Sequence, residues 1–135
     1  MNINLEDKFS NFLNTFKKSI DENKSLYASS SNPDFELLRK LFISFDAREV
    51  KIEGVKHLHY FLIIHDIELN PEFKGFGFFT KMIDFLNSQK VNVWVDDIVN
   101  NRLFAFLHDK GYRASIYKSS IGWTSCMYKL KSENE

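Results

Sequence analysis

The run VKHLHYFLIIHDIEL, Val55 to Leu69, constrains this chain more than any other stretch. It is rich in apolar and β-branched residues, as a strand covered on both faces is, and Pro71 ends it. Two glycines, Gly75 and Gly77, come next, and then Phe78, Met82, Phe85 and Leu86 recur at helical spacing. A strand, a glycine-bearing loop and a helix start, in that order, suit an anion. The glycines put no Cβ between backbone and ligand. The first amides of the helix have no intrahelical partners and lie at the positive end of its dipole. A pyrophosphate there is held by hydrogen bonds and field together, and Lys74 adds a positive charge at the loop's edge. Two glycines alone favour a plainer reading, a tight strand-to-helix turn with no ligand. Neither GxxxxGK[ST] nor GxGxxG is present, since position 80 is Thr.

The rest of the chain alternates between two periods. Leu5, Phe9, Phe12, Leu13, Phe16 and Ile20 predict an amphipathic helix from Leu5 to Asn23, and the serine-rich stretch Lys24 to Asn32 reads as a loop. Ser31 or Asn32 can cap a second helix with Pro33 in its first turn, carried by Phe35, Leu37, Leu38, Leu41 and Phe42 to about Phe45. Val50 and Ile52 then alternate with charged residues, and Gly54 signals a turn before Val55. After the glycine loop, Val91, Val93 and Val95 alternate as a strand. Asn100 or Asn101 caps a helix that Gly111 stops, and Tyr112 to Tyr117 and Trp123 to Leu130 are strands joined through Gly122. The expected order is α-α-β-β-α-β-α-β-β, a mixed sheet with helices on its faces. A chain of 135 residues reads as a single domain, 1–135.

Lys plus Arg and Asp plus Glu are 18 each, so bulk charge supports neither a nucleic-acid nor a membrane-surface partner. One cysteine, Cys126, excludes a disulfide within the chain and suits a reducing compartment. MNINLEDKFSNF has no signal-type apolar core, and no apolar run reaches the length of a membrane helix. A soluble, cytoplasmic protein is expected.

The segment Asn70 to Leu86 resembles the central motif of the GNAT superfamily of N-acetyltransferases. In that family a strand ends in a Pro-containing turn, followed by Arg/Gln-x-x-Gly-x-Gly/Ala and a helix. Lys74 stands at the Arg/Gln position, Gly77 at the first glycine and Phe79 at the second. NNRLFAFLHDKGYR, Asn100 to Arg113, is similar to the family's later motif. Asn100, Gly111 and Tyr112 match it without a gap, and Leu103 stands at its Ala position. The strand VNVWVDDI lies where the family has its fifth, and the two C-terminal strands match the family's ending. The usual first strand is not evident. The resemblance implies an α/β (α+β) fold with a mixed, mostly antiparallel sheet and helices on both faces. It implies direct transfer of an acetyl group from acetyl-coenzyme A, as co-substrate, to a primary amine of an unidentified small-molecule or peptide acceptor. It also implies that the pyrophosphate is held at Lys74, Gly75 and the amides of Phe76, Gly77, Phe78 and Phe79, with Asn100 nearby. The pantetheine arm would pair with the strand edge at Ile67 to Leu69.

Acetyl transfer needs a base for the amine, a donor to the carbonyl oxygen and a proton for the leaving thiolate. His65 titrates in a suitable range, and Glu68 is a second candidate base; strand alternation turns Asp66 and Glu68 away from His65. The family's tyrosine position is Leu107, which cannot donate a proton, and His108 beside it is turned by about 100°. Leu107 and Phe79 favour an alternative, a catalytically weak or inactive relative that binds coenzyme or a protein partner. The aromatic excess supports a third reading, an interaction module, and leaves a homodimer open. His57 and His59 share one side of a strand, with no third ligand at metal spacing. Trp94 either lines an acceptor cleft or packs.

Overall fold

A computed structural model describes residues 3–29, 38–69, 71–73, 75–98, 100–120 and 122–131. The elements are α1 (Ile3–Glu22), β1 (Leu26–Ser29), β2 (Leu38–Ile52), β3 (Val55–Leu69), a 3-10 turn (Pro71–Phe73), α2 (Phe78–Ser88), β4 (Val93–Val95), α3 (Asn101–Asp109), β5 (Arg113–Ser119) and β6 (Gly122–Lys129). They build one six-stranded open sheet in the order β1-β2-β3-β4-β6-β5, antiparallel at every pair except β3–β4.

Local chemistry ends α1, α3 and the β2–β3 hairpin where the sequence says it should. α1 stops at Asn23, which takes up a left-handed φ of 53°. The Asn23 amide donates to Ile20 O and the Lys24 amide to Ser19 O, which satisfies two of the last carbonyls of the helix. Gly111 closes α3 in the same way, with Gly111 N donating to His108 O and Tyr112 N to Leu107 O. Between β2 and β3 a two-residue turn has positive φ at both Glu53 (52°) and Gly54 (80°), the twist a tight antiparallel hairpin requires.

Two expectations fail in the N-terminal half. The second helix is absent where it can be checked: Leu38 to Phe45 belong to β2, and the cap at Ser31, Asn32 and Pro33 lies outside the described residues. The reason is a bulge. Leu38 pairs with Leu69 and Lys40 with Glu68, so Arg39 is an extra residue in β2. Leu38 and Leu41 then share a face although three apart, which imitates a helical step. The expected loop Lys24 to Asn32 likewise contains β1, whose Tyr27 pairs with Phe42.

The three described helices pack on one face of the sheet, not on both as expected. Successive strand residues alternate between two cores: Leu62, Ile64, Val93, Val95 and Met127 in one, Phe61, Ile63, Trp94, Cys126 and Tyr128 in the other. Buried residues of α1 (Phe12, Phe16, Ile20), α2 (Phe78, Met82, Ile83, Leu86) and α3 (Leu107) all join the first. The second cluster holds strand residues, with Leu130 just beyond β6 and no helix residue among them. Among the described residues no helix is long and apolar enough to cross a membrane.

Candidate functional site

The site begins where two strands part. β3 and β4 run parallel through Leu62↔Val93, Ile63↔Trp94 and Ile64↔Val95. The Asp96 amide makes the last bond, to Ile64 O at 2.9 Å. The chain then turns toward β6, where Ile98 N donates to Ser125 O at 2.8 Å, while β3 runs on to Leu69. On the helix-covered side, the gap opens into a cleft of about 710 Å³. Ile67, Glu68 and Leu69 of β3 form one wall, Gly75, Gly77 and the start of α2 the second, and Asn100, Arg102 and Leu103 the third. Its size falls within the range of small-molecule clefts.

The glycines serve the backbone. Gly75 has φ 88° and Gly77 φ 74°, and a Cβ built on either would meet nothing within 4 Å. They are needed for the left-handed turn and not to avoid a clash. Gly77 is the N-cap of α2 and has no side chain to cap it, so among the described residues no side-chain cap is made at the start of the helix at Phe78. Phe79 packs edge-on against Phe78, with centroids 5.6 Å apart, and joins the helix-covered core. Phe76 is half exposed and Lys74 lies outside the described residues. Asn100 caps α3: its Oδ1 accepts from Arg102 N at 2.8 Å and Leu103 N at 3.3 Å. Leu107 is buried between α3 and the sheet. Tyr112 does not replace a tyrosine there, since it is buried with its hydroxyl unpaired among the described residues, and burial pushes its phenol pKa up.

On the other side of the parted strands lies a polar cluster. β3 carries its own bulge, with Phe42 paired to Asp66 and Ile43 to Ile64, so His65 is the extra residue. The bulge shifts the alternation: Leu62 and Ile64 point toward the helices, and so do Ile67 and Leu69. Asp66 therefore faces the same side as His65's partners, contrary to simple alternation, and Glu68 follows it. His65 stacks on Phe42 with centroids 4.6 Å apart. Its Nε2 lies 2.6 Å from Ser44 Oγ and its Nδ1 3.4 Å from Asp96 Oδ2. The Cys126 thiol donates to Asp96 Oδ1 at 3.2 Å, and Arg48 Nη2 sits 4.0 Å from Oδ2. Burial pushes the His65 pKa below its usual 6.5, outweighing the Asp96 carboxylate, which raises it. Glu68, the other candidate base, is exposed and paired with Arg39 at 3.4 Å.

Ser44 and Asp96 were not visible as site residues in the sequence. Residues 44, 65 and 96 share no spacing, and only strand pairing brings them together. Trp94 packs: it stacks on Tyr128 and is 1% exposed, with Nε1 unpaired among the described residues. His57 and His59 lie 6.2 Å apart, and no group of three metal-ligating side chains exists among the described residues. No family model matches this sequence, and no curated protein and no solved structure matches it.

Proposed function

We propose that the chain is an acetyl-coenzyme A-dependent N-acetyltransferase whose acceptor is a primary amine on a small molecule or peptide. One observation carries this reading. A single cleft gathers the strand edge at Ile67 to Leu69, the left-handed Gly75 and Gly77, the uncapped start of α2 and Asn100. These groups fit the coenzyme in kind: amides and a helix N-terminus for a pyrophosphate, and, for the amide-bearing arm, the edge of β3 that β4 leaves unpaired beyond Ile64 among the described residues.

Bound there, acetyl-coenzyme A would supply a thioester at the parted strands. The chain's own groups do the rest. A backbone amide of the β3 edge donates to the carbonyl oxygen. His65, held neutral near pH 7 by burial, takes the amine proton through the Ser44 hydroxyl, while Asp96 keeps Nδ1 protonated and Nε2 free to accept. Leu107 leaves the proton for the departing thiolate to water. Calorimetric titration with acetyl-coenzyme A and with desulfo-coenzyme A tests the reading. Micromolar binding of both supports it, and no binding by the folded protein overturns it. The buried Leu107 favours a second reading, a protein that binds coenzyme without turnover. Binding with no transfer to a broad amine panel would select it.

A further inference from the structure

The cluster on the open face contains more than a base. Ser44 Oγ touches His65 Nε2 at 2.6 Å, and His65 Nδ1 faces Asp96 at 3.4 Å. A hydroxyl on one imidazole nitrogen and a carboxylate on the other is the arrangement that activates a serine in acyl transfer. The parts are also held in place. Phe42 stacks on the imidazole, and Cys126 and Arg48 flank the carboxylate. A merely satisfied histidine would not need this, because His65 is 26% exposed and water can reach it. Ser44 is partly exposed too, so a small reagent can approach.

We propose that Ser44, His65 and Asp96 form a nucleophilic centre that takes an acyl group from a small activated ester onto Ser44 Oγ. Ser44 and His65 are the catalytic residues, and Asp96 positions His65. As the bond from Oγ to the acyl carbon forms, the hydroxyl proton passes to Nε2. The bond to the leaving oxygen then breaks, and His65 returns that proton to it. Water completes the cycle: its oxygen attacks the acyl carbon, its proton passes through His65 to Oγ, and the free acid departs. The centre shares Ser44 and His65 with the transfer proposed above but needs no coenzyme, so it does not rest on the reading of the cleft.

The test treats the full chain with p-nitrophenyl acetate, follows p-nitrophenol release and maps acetylated peptides by mass spectrometry after an acid quench. The expected result is acetyl on Ser44. Ser44→Ala and His65→Gln, each shown to be folded by circular dichroism, should lose at least about 100-fold in acylation rate. Ser44→Cys, which keeps a nucleophile there, should carry the label on residue 44 as a thioester. Asp96→Asn should slow acylation and Asp96→Glu should recover part of the rate, which a purely structural aspartate would not do. Acetyl found only on lysines, or a Ser44→Ala protein that hydrolyses the ester at the wild-type rate, would overturn the proposal. The coenzyme titration is read separately, so either proposal can fail alone.

Discussion

On the helix-covered face of the sheet, Phe12, Phe16, Met82 and Leu86 close over Leu41, Ile43 and Leu62 with apolar atoms throughout. The opposite face is covered by its own strands. Trp94 stacks on Tyr128, Phe61 meets Trp94 edge-on at 5.3 Å, and Arg48 lies 3.6 Å from the Tyr117 ring and 5.2 Å from that of Trp94. On this second face no described helix seals the margin, and Ser44, His65 and Asp96 stay within reach of water. The difference separates two tasks. One face holds the sheet to its helices, and the other shelters partly desolvated groups whose protons can move.

If that division holds, mutations should sort by face. Phe12→Ala removes a fully buried ring from the helix-covered side and should cost about 3–5 kcal/mol, measured by urea unfolding. A loss below about 1 kcal/mol would mean α1 contributes little to the fold. Gly77→Ala, at a φ of 74° with open space around the new Cβ, should cost about 1–2 kcal/mol through backbone strain alone. A neutral result would show that the turn relaxes. Arg48→Met should lose no more than about 1 kcal/mol, because the guanidinium is buried with Nε and Nη1 unpaired among the described residues, and Asp96 keeps His65 and Cys126. A loss as large as that of Phe12→Ala would break the contrast between the faces.

The smallest effect is in pH. The unfolded chain takes up a proton at His65 near 6.5, and the folded chain takes it only at lower pH. Stability from this group is therefore intact above 6.5 and falls as pH drops toward the folded value. Arg48, Asp96 and Ser44 are the polar and charged groups that face the ring, and Phe42 stacks on it. Comparing urea midpoints of the wild type and His65→Gln from about pH 5 to 7 should show a slope that only the wild type has. Parallel curves would place His65 in an ordinary, water-like setting.

How much of this was legible depended on whether the signal was local. β3 was read to its end residues, because Pro71 and Gly54 mark it in the chain itself. α2 and α3 were read from period and caps, and Asn100 caps as expected. The second helix was misread because the extra Arg39 gave a strand a helical step, and a bulge exists only relative to a partner strand. Of the residues named from the sequence, Ile67, Glu68, Leu69, Gly75, Gly77, Phe78, Phe79 and Asn100 line the cleft. Lys74 lies outside the described residues, and Phe76 does not line the cleft. Ser44 fell inside the misread helix, and Asp96 had no local mark, so the cluster around His65 was half hidden. The facing of Asp66 was misjudged for the same reason as the helix: a bulge changed the parity of the strand.

The two-residue turn at Glu53 and Gly54 also sets an order in time. It joins two 15-residue strands, β2 and β3, that pair along nearly their whole length, so the loop closed to start that pairing is as short as a hairpin allows. β4 has only three residues and must find β3 in parallel across α2, a far more distant closure. The long hairpin is therefore expected to form first and to template the rest of the sheet. Pulse-labelled hydrogen exchange during refolding should protect the amides of Ser44 to Val50 before those of Trp94 and Val95, and simultaneous protection would show that the sheet assembles in one step.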